Sequence, residues 1–310
     1  MKVIFLGTPD FALPSLQAIY NSTHKIVGVV TQPDKPVGRS NKLMPTPVKK
    51  LALSLGLPVY QYEKISRDGV QELSKLGADI MVTCAYGQML SQEVLDLCPH
   101  GVINVHGSLL PKYRGAAPIQ WAIINGDKIT GITILKTMIG MDDGPIILKR
   151  ETPVKEYETS GELFERLSIL GSECIVDALD SIQNGTATFT PQDESQAVKC
   201  KMLKPTMSAI DWSQDCNSVA NMVHGLNPWP TAKCVINGVH FKLFRCMPYD
   251  CDDGVPGEIV VSSNKLGLVV RCGKGAVQIA EFQPENGKRM NPKDYLNGKA
   301  IPLHSKVTNE

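Results

Sequence analysis

KVIFLGTPDFALPSLQAIYNSTHKIVGVV, residues 2–30, decides the fold. The run from Lys2 to Gly7 is apolar and ends in glycine, Phe11 to Tyr20 carries apolar residues at helical spacing, and Ile26 to Val30 is apolar again. Strand, helix and strand within thirty residues make a βαβ unit, which places the two strands parallel in a sheet with the helix on its face. The pattern continues with a helix near 46–55, a short strand at Val59–Tyr60, a helix near 68–76, a buried strand at Ile80–Cys84 and another at Val102–Val105. Ile132–Met138 and Pro145–Lys149 flank a Gly/Asp-rich turn without a connecting helix, so they are expected as an antiparallel edge. The predicted class is α/β, an open, mostly parallel Rossmann-like sheet. A dinucleotide site would place G-x-G-x-x-G in the first βα turn. Gly7-Thr8-Pro9-Asp10-Phe11 has one glycine and a proline there, which argues against a dehydrogenase.

Farther along, Thr159-Ser-Gly-Glu162 is a capping box, and Leu163, Leu167, Leu170 and Cys174 recur along one face of the helix it opens. That helix is expected to stop near Asn184-Gly185. The polar stretch that follows lacks periodicity, and beyond 206 short β-rich runs alternate with Gly, Asn and Pro turns. The expected organisation is a catalytic domain over 1–189, a linker over 190–205 and a small all-β, OB-type barrel over 206–310, entered by a helix near 215–225.

Composition narrows the function. Hydrophobic residues make up 43% and charged residues 20%, as in a globular protein. No apolar run approaches the ~18–20 residues of a membrane span, and the N-terminal run is too short for a secretory signal. A cytoplasmic protein without membrane contact is expected. Nine scattered cysteines, an odd number, argue against a disulfide framework, and none stands at zinc-like spacing with histidine or a second pair, so no metal is expected. With a net charge of +1, the chain as a whole does not attract nucleic acid, and local basic clusters must carry any such case.

The densest chemistry lies in Ile103-Asn-Val-His-Gly-Ser-Leu-Leu-Pro-Lys-Tyr-Arg-Gly-Ala-Ala-Pro118. Two apart on a strand, Asn104 and His106 share one face. The strand's carboxyl end is where open α/β sheets hold ligands. An amide donor beside an imidazole suits acyl transfer to an amine: the donor meets the oxyanion, and histidine handles the proton. Asp142, in Gly140-Met-Asp-Asp-Gly144, is the natural partner for the histidine. Each of the three also has a plain structural explanation, and spacing alone does not decide between the two.

Asn104-x-His106, Ser108-Leu-Leu-Pro111 and Asp142 resemble the folate-dependent formyltransferase family. Gly-Thr-Pro-Asp-Phe-Ala (7–12), Ala-Tyr-Gly (85–87), Lys-Tyr-Arg-Gly-Ala-Ala-Pro (112–118), Asn-Pro-Trp-Pro (227–230) and Arg-Met-Asn-Pro-Lys-Asp-Tyr (289–295) are similar to its methionyl-tRNA branch. The resemblance implies 10-formyltetrahydrofolate as donor, charged initiator tRNA as acceptor and Asn104, His106 and Asp142 as the catalytic trio. It places Ser108, Leu109, Leu110 and Pro111 in the folate cleft, with Tyr86, Gly87, Gln88, Met89 and Leu90 lining the pterin end.

Gln32 to Pro47 is too long and proline-rich for an ordinary βα connection, and with its flank it carries Lys35, Arg39, Lys42, Lys49 and Lys50. In the methionyl-tRNA branch the matching insertion enters the acceptor stem, which makes Arg39 the main expected contact, with Lys35 and Lys42 beside it. Lys199, Lys201, Lys204, Lys288 and Arg289 are weaker candidates for tracking the RNA backbone. From 206 onward eleven Lys/Arg face ten Asp/Glu, which limits the area of any RNA contact there. The rival assignments are a sugar-nucleotide formyltransferase with the same trio, a tRNA-binding module without catalysis and a folate-dependent hydrolase. A monomer is expected.

Overall fold

Lys2–Gly7 forms β1, buried without a break from Val3 onward, as a strand covered on both faces must be. The structure, a computed structural model, describes residues 1–37 and 42–309. The first of its two units comprises Met1–Gly115, Gly131–Thr152 and Phe164–Lys199. It is built on β1, β2 (Lys25–Thr31), β3 (Lys35–Val37), β4 (Lys42–Met44), β5 (Val59–Gln61), β6 (Ile80–Cys84), β7 (Val102–His106), β8 (Ile129–Lys136) and β9 (Ile146–Pro153). Among the described residues seven of these form one sheet in the order β9-β8-β7-β6-β1-β2-β5. β1 is parallel to both β2 and β6, β2 to β5, and β6 to β7. β8 runs antiparallel to β7, and no helix separates β8 from its sheet neighbour β9. Gly131 on β8 has no room for a side chain: a Cβ there would lie 2.1 Å from the Arg150 carbonyl oxygen of β9.

β2 and β6 lie on opposite sides of β1, so the chain reverses its travel across the sheet at β1. Loops leaving β1 and β6 then diverge over one crevice at the carboxyl edge, the ligand position of such sheets. The Thr8 hydroxyl donates to the Tyr86 carbonyl at 2.8 Å and ties these two loops together.

Among the helices of this unit, α1 spans Leu13–Asn21 and α2 spans Pro47–Ser54, with the Thr46 hydroxyl accepting from the Lys49 N–H. The helix expected near 68–76 is broken into turns at Ile65–Asp68 and Val70–Leu73 and a 3-10 turn at Ser74–Leu76. Gly69 sits at the break and donates its N–H to the Ile65 carbonyl. A Cβ there would approach that carbonyl to 3.0 Å. The stretch expected as the 32–47 loop contains a small antiparallel hairpin, with Lys35 opposite Met44 and Val37 opposite Lys42.

The second unit gathers Ala116–Thr130, Pro153–Leu163 and Cys200–Glu310. It contains α3 (Pro118–Ile124) and, after the long helix α4 (Ser160–Gln183) that begins in it, α5 (Cys216–Gly225). The capping box forms as the sequence predicts: Thr159 N–H donates to the Glu162 carboxylate at 2.9 Å, and Glu162 N–H to the Thr159 hydroxyl at 3.3 Å. Its strands are β10 (Ala232–Ile236), β11 (Val239–Tyr249), β12 (Ile259–Ser263), β13 (Gly267–Arg271), β14 (Ala276–Pro284) and β15 (Val307–Thr308). They form an antiparallel sheet in the order β12-β13-β14-β11-β10-β15. β15 pairs with β10 on one side. On the other, Val307 N–H reaches the Gly257 carbonyl and Ile259 N–H the Ser305 carbonyl, so the sheet curls closed as a barrel. Phe241 and Phe282 meet edge-to-face at 5.0 Å in its core. α5 packs on α3, and Gly225 permits the approach: a Cβ there would lie 2.4 Å from Ile124 Cγ1. No helix among the described residues is long and apolar enough to cross a membrane.

Candidate active site

Asn104 and His106 occupy β7 at the carboxyl edge and face the same side, as a two-residue spacing dictates. Asn104 is oriented at both ends of its amide. The Thr83 hydroxyl on β6 donates to Asn104 Oδ1 at 2.9 Å, which leaves the NH2 group to point the other way and donate to Asp142 Oδ1 at 3.3 Å. An amide nitrogen has two hydrogens, so one remains for a ligand.

His106 is buried. Its Nε2 lies 2.9 Å from the Tyr113 carbonyl oxygen. A carbonyl only accepts, so Nε2 carries the proton, and Nδ1 of the neutral ring is a free base. Nδ1 stands 3.6 Å from Asp142 Oδ2. That is within charge–charge range but too long for a hydrogen bond. The ring is therefore held by Tyr113 and not by Asp142, a division that spacing in the sequence did not suggest.

Asp142 lies on the loop between β8 and β9 with φ +53, a left-handed conformation that aspartate tolerates better than most residues. Besides the Asn104 amide, its carboxylate accepts from the Gly115 N–H at 2.9 Å. The trio thus comes together from residues 38 apart in the chain. Its supports, Thr83, Tyr113 and Gly115, were missed by sequence reasoning. A threonine inside the otherwise apolar run Ile80–Cys84 was the available signal for the first.

The neighbouring loops carry the other expected residues. Ser108 is buried, its hydroxyl donating to the Lys112 carbonyl at 2.6 Å, while its own carbonyl accepts from the Thr133 hydroxyl at 2.6 Å. Leu110 is fully buried against Leu135 and Ile146, and its N–H donates to Thr133. Leu109 and Pro111 are half-buried. On the β6 loop, Tyr86 is buried and its hydroxyl has no partner among the described residues; burial pushes that phenol up to about 12. Gly87 is exposed with φ +89, and Met89 is 62% exposed. Gln88 turns inward, accepting from Ile65 N–H and donating to the Tyr62 carbonyl, and Leu90 belongs to the core.

On the hairpin, Lys35 is exposed and Lys42 contributes the backbone of β4. Arg39 lies outside the described residues. Lys49 is not available as a free cation: its ammonium bonds both Asp34 oxygens and Gln61, and Lys49 and Gln61 together hold the Asp34 carboxyl below its ordinary range. Arg289 is also engaged, stacked 4.1 Å over the Phe244 ring and paired with Glu281.

Two family descriptions match the chain: formyl transferase over residues 1–179 and formyl transferase, C-terminal domain, over 202–300. The chain is 43% identical to the methionyl-tRNA formyltransferase of Ruminiclostridium cellulolyticum over 99% of each protein. It is also 43% identical to the enzyme of that name from Acetivibrio thermocellus over 97% of each. Among solved structures, it superposes on an N-formyltransferase from Helicobacter canadensis, determined with folinic acid and dTDP-3-aminofucose, at a TM-score of 0.69 and 16% identity, covering 90% of this chain and 99% of that one. HypX from Aquifex aeolicus, solved with tetrahydrofolic acid, matches at a TM-score of 0.62 and 19% identity over 96% of this chain and 47% of its own.

Proposed function

The chain belongs to the formyl transferase family, and from that premise we propose that it moves the formyl group of 10-formyltetrahydrofolate onto the α-amino group of methionyl initiator tRNA. The observation that carries the proposal is the near-full-length likeness to enzymes of that name. The sugar-directed relatives share the fold at much lower identity.

The folate fits the crevice at the switch point. The open peptide of Gly87, the exposed Met89 and the half-buried Leu109 and Pro111 offer it polar backbone and apolar surface. Ser108 and Leu110, fixed by Lys112 and Thr133, shape the loop from below. When bound, the folate supplies a formyl carbon open to attack by an amine.

The chain's own residues do the rest. An α-ammonium loses its proton near neutral pH, so orientation matters more than a strong base. As the amine attacks, the remaining Asn104 N–H meets the charge that develops on the formyl oxygen. His106 Nδ1 takes the proton released by the nitrogen and passes it to N10 as the bond between N10 and the formyl carbon breaks, so tetrahydrofolate leaves neutral; the Asp142 carboxylate at 3.6 Å stabilises the imidazolium in between. Arg39, Lys42 and Lys35 reach the acceptor stem as phosphate and base contacts. Cysteines that form no disulfide among the described residues suit a cytoplasmic setting. A single species near 33.8 kDa is expected in sedimentation.

The test is formylation of charged initiator tRNA in the presence of 10-formyltetrahydrofolate, with uncharged and elongator tRNA as controls. Formylation confined to the charged initiator is expected, and its absence would sink the proposal. Asp142→Asn should lower kcat about 100-fold or more with a changed pH–rate profile. An unchanged profile would remove Asp142 from proton handling.

A further inference from the structure

Residues 190–198, polar and without periodicity, are the first part of the stretch that reads as a linker over 190–205. In the structure they are fastened to the first unit. Thr190 exchanges backbone hydrogen bonds with Ile146, Val198 N–H donates to the Pro111 carbonyl, and Arg114 N–H donates to the Val198 carbonyl. Gln192 lies between these anchors. Its amide nitrogen donates to the Asp142 carbonyl at 2.8 Å and to the Gly144 carbonyl at 2.8 Å. Its amide oxygen accepts from Arg114 Nε at 3.0 Å and Nη2 at 2.8 Å.

The polarity of this arrangement is fixed. A guanidinium only donates and a backbone carbonyl only accepts, so the Gln192 amide fits one way round and not the other. The Arg114 side chain is 5% exposed and is gripped at its far end by both Glu194 oxygens, at 2.7 and 2.9 Å. That carboxylate raises the Arg114 pKa further, and Arg114 in turn lowers that of Glu194. The residue next to Arg114, Gly115, donates its N–H to the Asp142 carboxylate itself. Asp142 is thus held twice from one direction: its main chain by Gln192 and its side chain by Gly115.

A loop held this way keeps Asp142 in a left-handed backbone conformation that is strained for a residue with a side chain. We propose that Gln192, oriented by Arg114 and Glu194, is a positioning residue for formyl transfer, setting the place of the Asp142 carboxylate relative to Asn104 and His106. This rests on the formyl-transfer function proposed above.

Gln192→Glu tests it. The variant keeps an acceptor for Arg114 but presents an anion to the two carbonyls, so it releases the Asp142 loop while leaving the Arg114 anchor paired. The expected result is a kcat lowered about 10- to 100-fold, with KM for the folate and for charged tRNA within about threefold and melting temperature nearly unchanged. Hydrogen exchange at residues 140–145 should quicken. Gln192→Ala is expected to show the same pattern more weakly and covers the case in which the glutamate variant folds poorly. Gln196→Ala, on the same segment but bonded only to Asp193 among the described contacts, should match wild type. A loss confined to KM, or wild-type kcat with unchanged exchange in both Gln192 variants, overturns the proposal. A wild-type protein that forms no formylmethionyl-tRNA overturns the functional assignment instead, and the exchange measurement still reads the clamp.

Discussion

Asn104 is the residue on which most of the proposed chemistry converges, because its two ends are committed differently. Thr83 takes the oxygen, Asp142 takes one hydrogen of the nitrogen, and in the proposed mechanism the second hydrogen meets the developing charge. Asn104→Ala should therefore lower kcat ~10²–10³-fold while KM moves little, the loss typical of one oxyanion donor. Steady-state kinetics with charged initiator tRNA checks this, and a change in KM alone would contradict it. At this scale the sequence was informative wherever a local rule applied. Asn104 and His106 share a face because strands repeat every two residues. Asp142 could not be reached that way, since nothing local links it to β7, and its place in the trio rests mainly on the family resemblance. Tyr113 and Gly115 act through backbone groups, which any residue could offer, so their side chains gave no sign of a role.

At the scale of elements, each support comes from a neighbouring strand or loop, and their registry does the positioning. Thr83 stands opposite Asn104 in the β6–β7 pairing. Thr83→Val keeps the volume and β-branching of β6 and removes only the hydroxyl. It should cost about 1 kcal/mol of stability and lower kcat about tenfold, as the amide of Asn104 loses its orienting donor. Denaturant unfolding and kinetics on the same preparation separate the two effects, and an unaltered kcat would show that Asp142 alone orients the amide. Elements with a strong period, such as the βαβ start, the capped helix α4 and the strands of the barrel, were legible in the sequence. The helix near 68–76 was not, because Gly69 interrupts an otherwise continuous apolar pattern. The role of 190–198 was illegible for another reason: Gln192 and Glu194 work through long-range polar contacts, which leave no periodic trace.

At the scale of the molecule, pH acts through a buried group far in sequence from the trio. His224 on α5 is 2% exposed, and its Nε2 accepts from the Cys246 N–H. Burial, helped by the charge of Arg245, lowers its pKa to about 4. The unfolded chain binds a proton at this residue below about pH 6.5, whereas the folded chain resists until about 4. More protons are thus bound by the unfolded state in that window, and stability falls as pH drops through it. The loss is on the order of 3 kcal/mol at pH 4 relative to pH 7. His224→Gln should be less stable at pH 7 yet flatter between pH 7 and 4. Parallel pH profiles for variant and wild type would rule His224 out as the source.

The second unit draws α3 from the first half of the chain and α5 from the second, and this gives the molecule a history during synthesis. The apolar side chains of α3 that pack on the barrel core, Trp121 and Ile124 among them, leave the ribosome about 90 residues before α5 is made. At ~5–20 residues per second the interval is roughly 5–20 s, long on the scale of a hydrophobic collapse that takes microseconds. For that time α3 has no completed partner, so nascent chains arrested near residue 200 should be held by chaperones. Chains arrested after the barrel has emerged should be free of them. Placing an early helix in a late core makes the pace of translation part of how this protein reaches its structure.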